Sequence, residues 1–587
     1  MMKNYLIPLC LLLALGFASC GGDNDSPVTP IVPPTPDPPP PPPEVYEGWP
    51  KDYTGVMLQA FYWDGFADAQ WSELEKQADD LATTFDLVWL PQSADCGGTS
   101  MGYDDLYWFP GHYNSSFGNE QELRSLISTF KSKGIGTIAD VVINHRKNVS
   151  NWVDFPKETY KGVTYELKST DICANDDNGA TKTWASQNSC SLSSNNDTGI
   201  DWDGMRDLDH KSENVQNNVK AYLHMLLEDL GYTGFRYDLV KGYSGSYTKM
   251  YNEDTKPKFS VGECWDGTNV IKNWIEATSK TSAAFDFQFR YTVRNAANNG
   301  DWSNLAKQND GNWPLVSNNY QSGAYRQFAI TFVENHDTEK RSETEQQDPL
   351  RKDTLAANAY MLAMPGTPCV FLKHWQNYRR EISQMAAVRK AVGITNVSKP
   401  TQQAANKDYY AVKVEGANGK KLLCVVGTKA AEYPTGDAAW KKVISGYHYV
   451  YYVQGIEPND IKLPDLKNDE QPKNTEFSGV PTFCTVNSGE ICAFWEAPVS
   501  WGSQTFTWAW MNGGDGKDYL GKEWPGVEAT YLGKADNGNK VYKWTSGKTA
   551  APDYIIFSSG GNQTQNLTFT NGGYYTEKGL QAVVGPQ

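Results

Sequence analysis

The sequence predicts an α/β fold, a (β/α)₈ barrel, followed by two all-β segments. From residue 53 onward, short apolar runs typical of buried strands alternate with runs of helical periodicity. Eight such units follow one another, which is the number that a barrel needs. The alternative is an open doubly wound sheet. That fold uses fewer strands and usually carries a glycine-rich phosphate loop, a pattern that we do not find in this sequence.

The eight strand–helix units occupy residues 47–390. The strand-like runs are, in order, "GVMLQAFYW", "DLVWLPQ", "IGTIADVVINH", "TGFRYDLV", "KFSVGECWD", "AAFDFQF", "FAITFVENHD" and "GTPCVFL". Helical patterns such as "WSELEKQADDLATTF" separate them, and "YRREISQMAAVRKAVG" closes the series. The long stretch 146–207, rich in Asn, Asp, Ser and Trp, interrupts the third unit after its strand, so it predicts an inserted subdomain.

Three further segments follow the barrel. Residues 391–457 contain strand-like runs such as "DYYAVKVEG" and predict a small β-sandwich, domain C. Residues 458–477 have the polar, proline-containing composition of a linker. Residues 478–587 combine short strands with many aromatic residues and predict a second all-β module.

The N-terminal 46 residues are predicted to lie outside the fold. Residues 1–19 contain a lysine, an apolar run too short to span a membrane as a mature helix, and small residues, as a secretory signal does. The ending "FASC" resembles a bacterial lipoprotein cleavage box, which implies acylation of Cys20; the alternative is an ordinary signal peptide with an incidental cysteine. The proline-rich stretch 20–46 predicts a stiff spacer of about 3.1 Å per residue. "GGDND" resembles a signal for the outer cell surface, so we expect an exported protein, lipid-anchored to the outer membrane and facing the exterior.

Charge and cysteine content limit the classes of partner. The net charge of −16 argues against nucleic acid, whose phosphates it would repel, whereas a neutral polysaccharide would need aromatic platforms, and the chain has 20 Trp. Export permits disulfides, and the cysteines closest in sequence are Cys173 with Cys190 and Cys484 with Cys492. The other four cysteines beyond Cys20 lie in apolar runs and are expected to be buried thiols. No Cys/His zinc spacing occurs.

Charged residues interrupt the predicted strands at their carboxyl ends. Arg236 and Asp238 are two apart and therefore share one face of a strand. A structural ion pair is one interpretation, although buried pairs contribute little to stability. Four acidic residues, Asp140, Asp238, Glu263 and Asp337, come at the ends of strands three, four, five and seven, where barrels carry their active sites. Converging carboxylates without Cys/His metal spacing are typical of glycoside hydrolysis, which needs a nucleophile and a general acid.

The motifs "DVVINH", "GFRYDLVKG", "GECWD" and "ENHD" resemble, in this order, the four motif regions of the α-amylase family, glycoside hydrolase family 13. "GTPCVF" and "MGYDDLYWF" fit as well, and the resemblance covers roughly residues 50–455. Gly242, where many members carry His, is similar to the plant-type subgroup, while Lys241 agrees with both groups. The resemblance implies Asp238 as nucleophile, Glu263 as acid/base and Asp337 as the residue that holds sugar hydroxyls and helps to distort the ring.

The same resemblance assigns substrate contacts and a calcium ion. His145 and His336 would hydrogen-bond the same glucose, and Tyr103 would stack on it. Arg236 and Lys241 are the other expected substrate-binding residues. Asp140 is expected to be structural. Arg236 should favour the ionised form of Asp238, and an apolar surround should keep Glu263 protonated. A structural calcium would use the hard oxygen ligands that this ion prefers, while a solvated acidic loop is the alternative. The expected calcium ligands are Asn144, the Gly242 carbonyl and Asp177, with Asp207 as the rival of Asp177.

The C-terminal segment resembles a starch-binding carbohydrate module in "WAWMN", "EWPGV" and "IIFSSGGNQTQNLTF". Trp508, Trp510 and Trp524 are its candidate binding platforms, although aromatic residues of a β-sandwich more often belong to the core. The whole resemblance implies a surface-anchored, retaining α-amylase that cuts internal α-1,4 bonds of starch and maltooligosaccharides. A transglycosylase of the same family and a non-catalytic glucan-binding lipoprotein remain alternatives.

Overall fold

The computed structural model describes residues 46–342, 345–467, 477, 479–498, 501, 504–535, 537–559 and 562–586. Eight parallel strands form a closed barrel, in which the first strand pairs with both the second and the eighth. The strands are β1 Met57–Gln59, β2 Leu87–Leu90, β3 Gly136–Val141, β4 Gly234–Tyr237, β5 Phe259–Gly262, β6 Ala283–Phe285, β7 Ala329–Thr331 and β8 Thr367–Phe371. The prediction of a (β/α)₈ barrel is confirmed.

Helices surround the barrel and bury their apolar faces against it. Their bounds are Trp71–Lys76, Ala78–Ala82, Glu120–Ser132, Glu213–His224, Gly245–Thr255, Thr268–Ala277, Phe287–Asn299, Thr354–Ala363, Leu372–Asn377 and Arg379–Val392. The helix Glu120–Ser132 illustrates the local causes. Asn119 and Glu122 form a capping box at its start, and the 3.6-residue spacing of Leu123, Leu126, Ile127 and Phe130 buries one face.

The strand register places charged side chains side by side within the barrel. Arg236 of β4 is level with Asp140 of β3 and with Val261 of β5. Because the carboxyl ends of parallel strands meet at one rim, the residues that follow β4, β5 and β7 enter the same mouth. The register therefore brings together residues that are about a hundred positions apart in sequence.

The segment after β3 has its own small elements. The hairpin of Lys157–Tyr160 with Val163–Glu166 and the helix Ala180–Gln187 occupy its middle. Its two ends pair with each other, since His145–Arg146 forms an antiparallel ladder with Arg206–Asp207. This ladder brings the residues that precede and follow the insertion into contact beside the mouth of the barrel.

Domain C is one antiparallel sheet of five strands rather than the predicted sandwich. The strands are β9 Pro400–Ala405, β10 Tyr410–Glu415, β11 Lys421–Val426, β12 Lys441–Gly446 and β13 Tyr449–Gln454, in the order β9-β10-β11-β13-β12. One face, with Val412, Leu422 and Tyr451, joins the hydrophobic core of the barrel. The prediction of a sandwich at this position was wrong because the barrel helices, not a second sheet, cover that face.

The C-terminal module has two β-sheets around a shared core. The first contains β14 Cys492–Ala497, β17 Thr530–Lys534, β18 Lys540–Thr545, β22 Gly573–Thr576 and β23 Gly579–Val583, and the second contains β15 Phe506–Trp510, β16 Val527–Glu528, β19 Tyr554–Ser559, β20 Asn562–Gln563 and β21 Leu567–Thr568. The short helix Gly516–Leu520 follows β15. Trp495 and Trp544 of the first sheet share a core with Ala509 and Phe557 of the second.

Membrane spans, disulfides and the N-terminal segment are considered next. Among these residues, no helix has the length and apolar character needed to cross a membrane. The eight cysteines that the structure describes are free thiols, so neither Cys173–Cys190 nor Cys484–Cys492 is a disulfide here. Cys20, the predicted signal and most of the proline-rich spacer lie outside the described residues.

Candidate active site

Arg236 lies at the centre of the carboxylates in the barrel mouth. Its Nη1 lies 2.8 Å from Asp140 Oδ1 and 2.6 Å from Asp238 Oδ1, and its Nη2 lies 3.1 Å from Glu263 Oε2. The guanidinium is almost fully buried and lies 4.9 Å from the ring centroid of Trp89. One cation thus orients three carboxylates that come from three adjacent strands.

Asp140 is enclosed by hydrogen-bond donors. Its Oδ1 contacts Arg236, while its Oδ2 accepts bonds from Tyr103 Oη at 3.1 Å and Trp89 Nε1 at 3.2 Å. Its side chain has no exposed surface. The carboxylate therefore orients Arg236 and Tyr103, which agrees with the structural role predicted for it.

Asp238 and Glu263 differ in their electrostatic surroundings. Burial raises the pKa of Glu263 to about 8, and Asp238 and Asp337 add to this rise while Arg236 opposes it. Burial also raises the pKa of Asp238, to about 6, where the closer contact with Arg236 holds it lower than that of Glu263. Near neutral pH Glu263 is protonated and Asp238 is ionised. These are the states that an acid and a nucleophile require.

The backbone between the two carboxylates is also shaped for the site. Leu239 follows Asp238 and has a φ of 41°, an uncommon conformation for a branched residue. Its N–H donates to Glu263 Oε2 at 3.0 Å. The unusual turn therefore places a backbone donor on the carboxyl group of Glu263, where it helps to fix the orientation of that side chain.

His336 and Asp337 form the opposite side of the mouth. His336 Nε2 lies 2.7 Å from Tyr103 Oη and 3.1 Å from Asp337 Oδ2, and its Nδ1 lies 2.8 Å from the amide nitrogen of Gln59. Because that amide nitrogen can only donate, Nδ1 accepts and Nε2 carries the proton. Burial, Arg236 and Arg341 keep the pKa of His336 well below its usual range, so the ring is neutral. Burial raises the pKa of Asp337, while Arg236 and Arg341 oppose this shift.

His145 and Lys241 lie near the mouth but are held by protein groups. His145 Nε2 donates to the carbonyl of Tyr103 at 3.0 Å, and its Nδ1 lies 3.2 Å from Asn144 Nδ2. Burial lowers the pKa of His145 to about 4. Lys241 Nζ binds Asp266 at 2.8 Å and the carbonyl of Trp265 at 3.1 Å. A sugar would have to share or replace these partners to reach either side chain.

Several aromatic residues at the mouth were not singled out from the sequence. Trp63 lies nearly parallel to Tyr103, at 7° with 6.4 Å between centroids, and the Arg341 guanidinium lies 3.8 Å from the Trp63 ring. Trp202 stacks on His145 at 4.2 Å and is 37% exposed, and Trp265 is 36% exposed. Their positions at the carboxyl ends of predicted strands or within the insertion were a usable signal, since such segments line the mouth of a barrel.

A cluster of carboxylates lies where the insertion meets the barrel. One oxygen from each of Asp176, Asp201 and Asp207 lies within 4.8 Å of the others. Burial raises the pKa of Asp207 to about 9, with Asp197, Asp176 and Asp201 adding to the rise, and Asp201 Oδ1 is buried without a hydrogen-bond partner. Hard oxygen ligands with uncompensated negative charge suit a calcium ion. This donor set therefore fits the predicted metal.

The structure favours Asp207 over Asp177 as a ligand. Asn144 Nδ2 donates to Asp207 Oδ1 at 3.0 Å, whereas Asp177 is paired with Arg206 at 2.6 Å and accepts the N–H of Gly204 at 2.7 Å. Gly242 lies so close to this site that a β-carbon there would come within 1.8 Å of Asn144 Oδ1. Asn144, Asp207 and Gly242 are thus together. Asp207 belongs to the carboxylate cluster with Asp176 and Asp201, whereas Asp177 does not, so Asp177 stays a prediction.

The three tryptophans predicted for the C-terminal module do not belong to its core. Along β15, Thr507 and Ala509 are buried, while Trp508 and Trp510 alternate with them on the outer face. Trp508 meets Trp524 edge-on at 5.7 Å, Trp510 stacks on Tyr554 at 5.4 Å, and Trp524 is 48% exposed. The outer face of β15 therefore presents the aromatic surface that a sugar ring could contact.

Comparison with known proteins finds similarity to amylases. Residues 85–374 match the model of the alpha amylase catalytic domain. The chain is 29% identical over 426 residues to probable alpha-amylase 2 of Arabidopsis thaliana, a match that covers 68% of this chain and 94% of that protein. It is 28% identical over 419 residues to the chloroplastic alpha-amylase 3 of the same plant, which covers 67% of this chain and 43% of that protein.

A third relative is the glucan 1,4-alpha-maltotetraohydrolase of Roseateles saccharophilus, 26% identical over 372 residues, with 58% of this chain and 62% of that protein covered. The chain therefore spans less than two thirds of the length of two of these three relatives. The family match includes β3, β4, β5 and β7, whose ends carry the carboxylates. The match of residues 85–374 to the alpha amylase catalytic domain and the relatives named as amylases show that the protein is a glycoside hydrolase.

Proposed function

We propose that the protein is a retaining, endo-acting α-amylase that hydrolyses internal α-1,4 bonds of starch and related glucans. The observation that carries this proposal is the contact of Asp238 and Glu263 with neighbouring nitrogens of one guanidinium, that of Arg236. A retaining enzyme needs its two carboxyl groups about 5–5.5 Å apart, whereas an inverting enzyme leaves room for a water between them. Sharing one guanidinium supports the shorter separation.

The proposed reaction assigns a separate step to each carboxyl group. Glu263 donates its proton to the glycosidic oxygen while Asp238 attacks the anomeric carbon, which breaks the C–O bond and forms a covalent glycosyl-enzyme. Glu263, now ionised, takes a proton from water, and the resulting hydroxide equivalent displaces Asp238 with retention of the α-configuration. Asp337, which lies 3.6 Å from Arg341, would hold ring hydroxyls, and Tyr103 would stack on the same sugar.

The test is the first-formed product from soluble starch, followed by NMR and by the size of the released oligosaccharides. A retaining α-amylase releases the α-anomer and shortens long chains before short products accumulate. Release of the β-anomer would overturn the assignment of Asp238. Early accumulation of one short product, the activity named for the maltotetraohydrolase relative, would overturn the endo-acting part.

Two alternatives remain: one differs in the acceptor of the glycosyl intermediate, and the other has no catalytic activity. A transglycosylase would pass the glycosyl group to a sugar rather than to water, so adding maltose as acceptor would yield longer products. A non-catalytic glucan-binding lipoprotein would release no reducing sugar. The complete set of Asp238, Glu263 and Asp337 in one mouth favours an enzyme.

The calcium ion is proposed for a structural role. Asp207, Asp176 and Asp201 would supply carboxylate oxygens, and the oxygen of Asn144 and the carbonyl of Gly242 would complete the ligand set. The ion would neutralise the carboxylates and join the insertion to the barrel, close to His145. It takes no part in the transfer of protons or of the glycosyl group.

Location and starch binding complete the proposal. Acylation of Cys20 would anchor the protein on the outer membrane, and the proline-rich spacer would hold the barrel away from the surface, where large glucans can reach it. The C-terminal module would hold the polymer and raise its local concentration at the active site. The test is Cys20→Ala, which should release an active enzyme from the membrane fraction. Protease treatment of whole cells should degrade the wild-type protein, and full protection would overturn the outward orientation.

A further inference from the structure

Lys540 of the C-terminal module contacts the catalytic barrel. Lys540, at the start of β18, extends its ammonium group toward Asp68 Oδ1 at 3.7 Å and Tyr62 Oη at 3.4 Å. Asp68 and Tyr62 lie in the loop after β1, more than 470 positions away in sequence. The side chains of Lys540 and Asp68 are only 13% and 12% exposed, so the contact excludes most water.

The receiving pocket is built from two loops of the barrel mouth. Asp68 Oδ2 accepts the hydroxyl of Tyr62 at 2.7 Å and the amide of Gln376 at 3.3 Å. Gln376 belongs to the short helix Leu372–Asn377 that follows β8. Lys540 therefore enters where the loops after β1 and β8 meet, and both carboxylate oxygens of Asp68 have a partner.

Charges around the pocket favour this placement. Burial opposes ionisation of Asp68, but Lys540, Lys534 and the hydrogen bonds from Tyr62 and Gln376 outweigh it and lower the pKa of Asp68 to about 2. Tyr531 of the module also interacts electrostatically with Asp68. Burial raises the pKa of Tyr531 to about 12, and the charges of Asp68 and Glu73 add to this rise. Removing Lys540 would leave a buried carboxylate with little compensation, which is strongly unfavourable.

A chain of contacts leads from this pocket to the active site. Lys373 Nζ lies 4.4 Å from the ring centroid of Tyr62 and forms an ion pair with Glu339. Glu339 Oε1 accepts the N–H of Trp63 at 2.8 Å. The Trp63 ring lies parallel to Tyr103 and to His336, both at an interplanar angle of 7°. The loop that receives Lys540 thus also carries the aromatic wall beside the catalytic carboxylates.

We propose that Lys540 is a positioning residue that seats the C-terminal module between the loops after β1 and β8 and thereby keeps Trp63 aligned with Tyr103. The module is then part of the catalytic unit, in addition to any binding of polymer on the outer face of β15. The contact of the module with these two loops therefore affects the binding of glucans that are too short to reach the outer face of β15. The kinetic part of this inference rests on the proposed function, whereas the docking part does not.

The experiment compares Lys540→Met with Lys543→Met in the full-length protein. Lys543 is a matched control, because it lies on the same strand and the side chains of its ion pair with Glu490 are equally exposed, at 13% and 12%. Both partners of this pair belong to the module, so its loss does not affect the contact with the barrel. Hydrogen exchange of the segment 60–68 should become at least fivefold faster in Lys540→Met and stay unchanged in Lys543→Met. The KM for a soluble maltooligosaccharide should rise at least threefold in Lys540→Met, with kcat changed less than twofold.

Two further variants keep the test decisive. Lys540→Arg should show the hydrogen exchange and the KM of the wild-type protein, because it keeps the positive charge at this position. Asp68→Asn removes the charge from the barrel side, and in its background Lys540→Met should have little additional effect, as expected for two residues that act through one contact. If Lys540→Met unfolds the protein, Asp68→Asn alone should reproduce the faster exchange and the higher KM.

The outcomes separate this inference from the proposed function. Equal exchange and equal KM in Lys540→Met and Lys543→Met would overturn the inference. Faster exchange with an unchanged KM would overturn the positioning role and leave only docking. A wild-type protein that does not hydrolyse the oligosaccharide would instead overturn the proposed function, while the exchange experiment would still decide whether the module is seated through Lys540.

Discussion

Arg236 Nη1 lies 2.6 Å from Asp238 Oδ1, and the two residues are separated by one position at the end of β4. The same guanidinium contacts Asp140 and Glu263, so the pair is not an isolated ion pair in the core. Burial, together with the nearby charges of Asp238 and Asp337, keeps a proton on Glu263 while Asp238 is ionised.

The first prediction concerns the two carboxyl groups proposed for catalysis, those of Asp238 and Glu263. Glu263→Gln should lower kcat on soluble starch by about 10²–10⁴-fold, the usual contribution of a general acid, and Asp238→Asn should remove nearly all turnover. Affinity for starch, measured with the inactive variants, should change little because many other contacts bind the polymer. Glu432→Gln, at an exposed carboxylate of domain C, serves as control. A variant of either residue that kept a tenth of the wild-type rate would disprove its assigned role.

The second prediction is a bell-shaped dependence of kcat/KM on pH. The rate should fall on the acid side as Asp238 becomes protonated, near its pKa of about 6, because a neutral carboxyl group is a poor nucleophile. It should fall on the alkaline side as Glu263 loses its proton, near a pKa of about 8, because the leaving oxygen then receives none. Initial rates on a soluble maltooligosaccharide between pH 4 and pH 10 measure both limbs. In Glu263→Gln the alkaline limb should disappear from the residual activity, and its persistence would point to another acid.

The third prediction concerns calcium. Chelation should lower the melting temperature of the wild-type protein, since an ion at a hundred times its Kd adds about 2.7 kcal/mol to the free energy of unfolding. Asp207→Asn should make the melting temperature insensitive to chelator, because the best-placed ligand is lost. Asp177→Asn is the control: it breaks the ion pair with Arg206 but should retain the response to chelator. A wild-type melting temperature that excess chelator leaves unchanged would remove the site.

The fourth prediction concerns the outer face of β15. Trp524→Ala should weaken adsorption to insoluble starch at least several-fold, since stacking on an exposed indole contributes to sugar binding. The rate on a short soluble maltooligosaccharide should remain at the wild-type value. Phe483→Ala is a matched control, because Phe483 is a 38% exposed aromatic residue that lies against Gly533 of the other sheet. Equal adsorption of both variants and the wild type would show that this face does not bind starch.

Much of the catalytic barrel could be predicted from sequence because its determinants are local. The alternation of apolar strands and amphipathic helices specifies the eight units, and the position of each acidic residue near the carboxyl end of a strand or in the loop that follows specifies its place at the mouth. Asp238, Glu263 and Asp337 were therefore predicted to meet, and the structure places them together around Arg236 and His336. The four motifs in fixed order carried the same information.

The tertiary structure decided what depends on contacts between distant segments. The acidic run that contains Asp176 and Asp177 does not indicate that Arg206 pairs with both of them, nor that Asp207 lies beside Asp176 and Asp201. Nor could a strand pattern show that helices of the barrel, rather than a second sheet, cover domain C. The contact of Lys540 with Asp68 leaves no periodic or compositional trace in either segment. The physical reason is that periodicity reports only which face of an element is buried, whereas the identity of the group that meets that face is settled by packing in three dimensions.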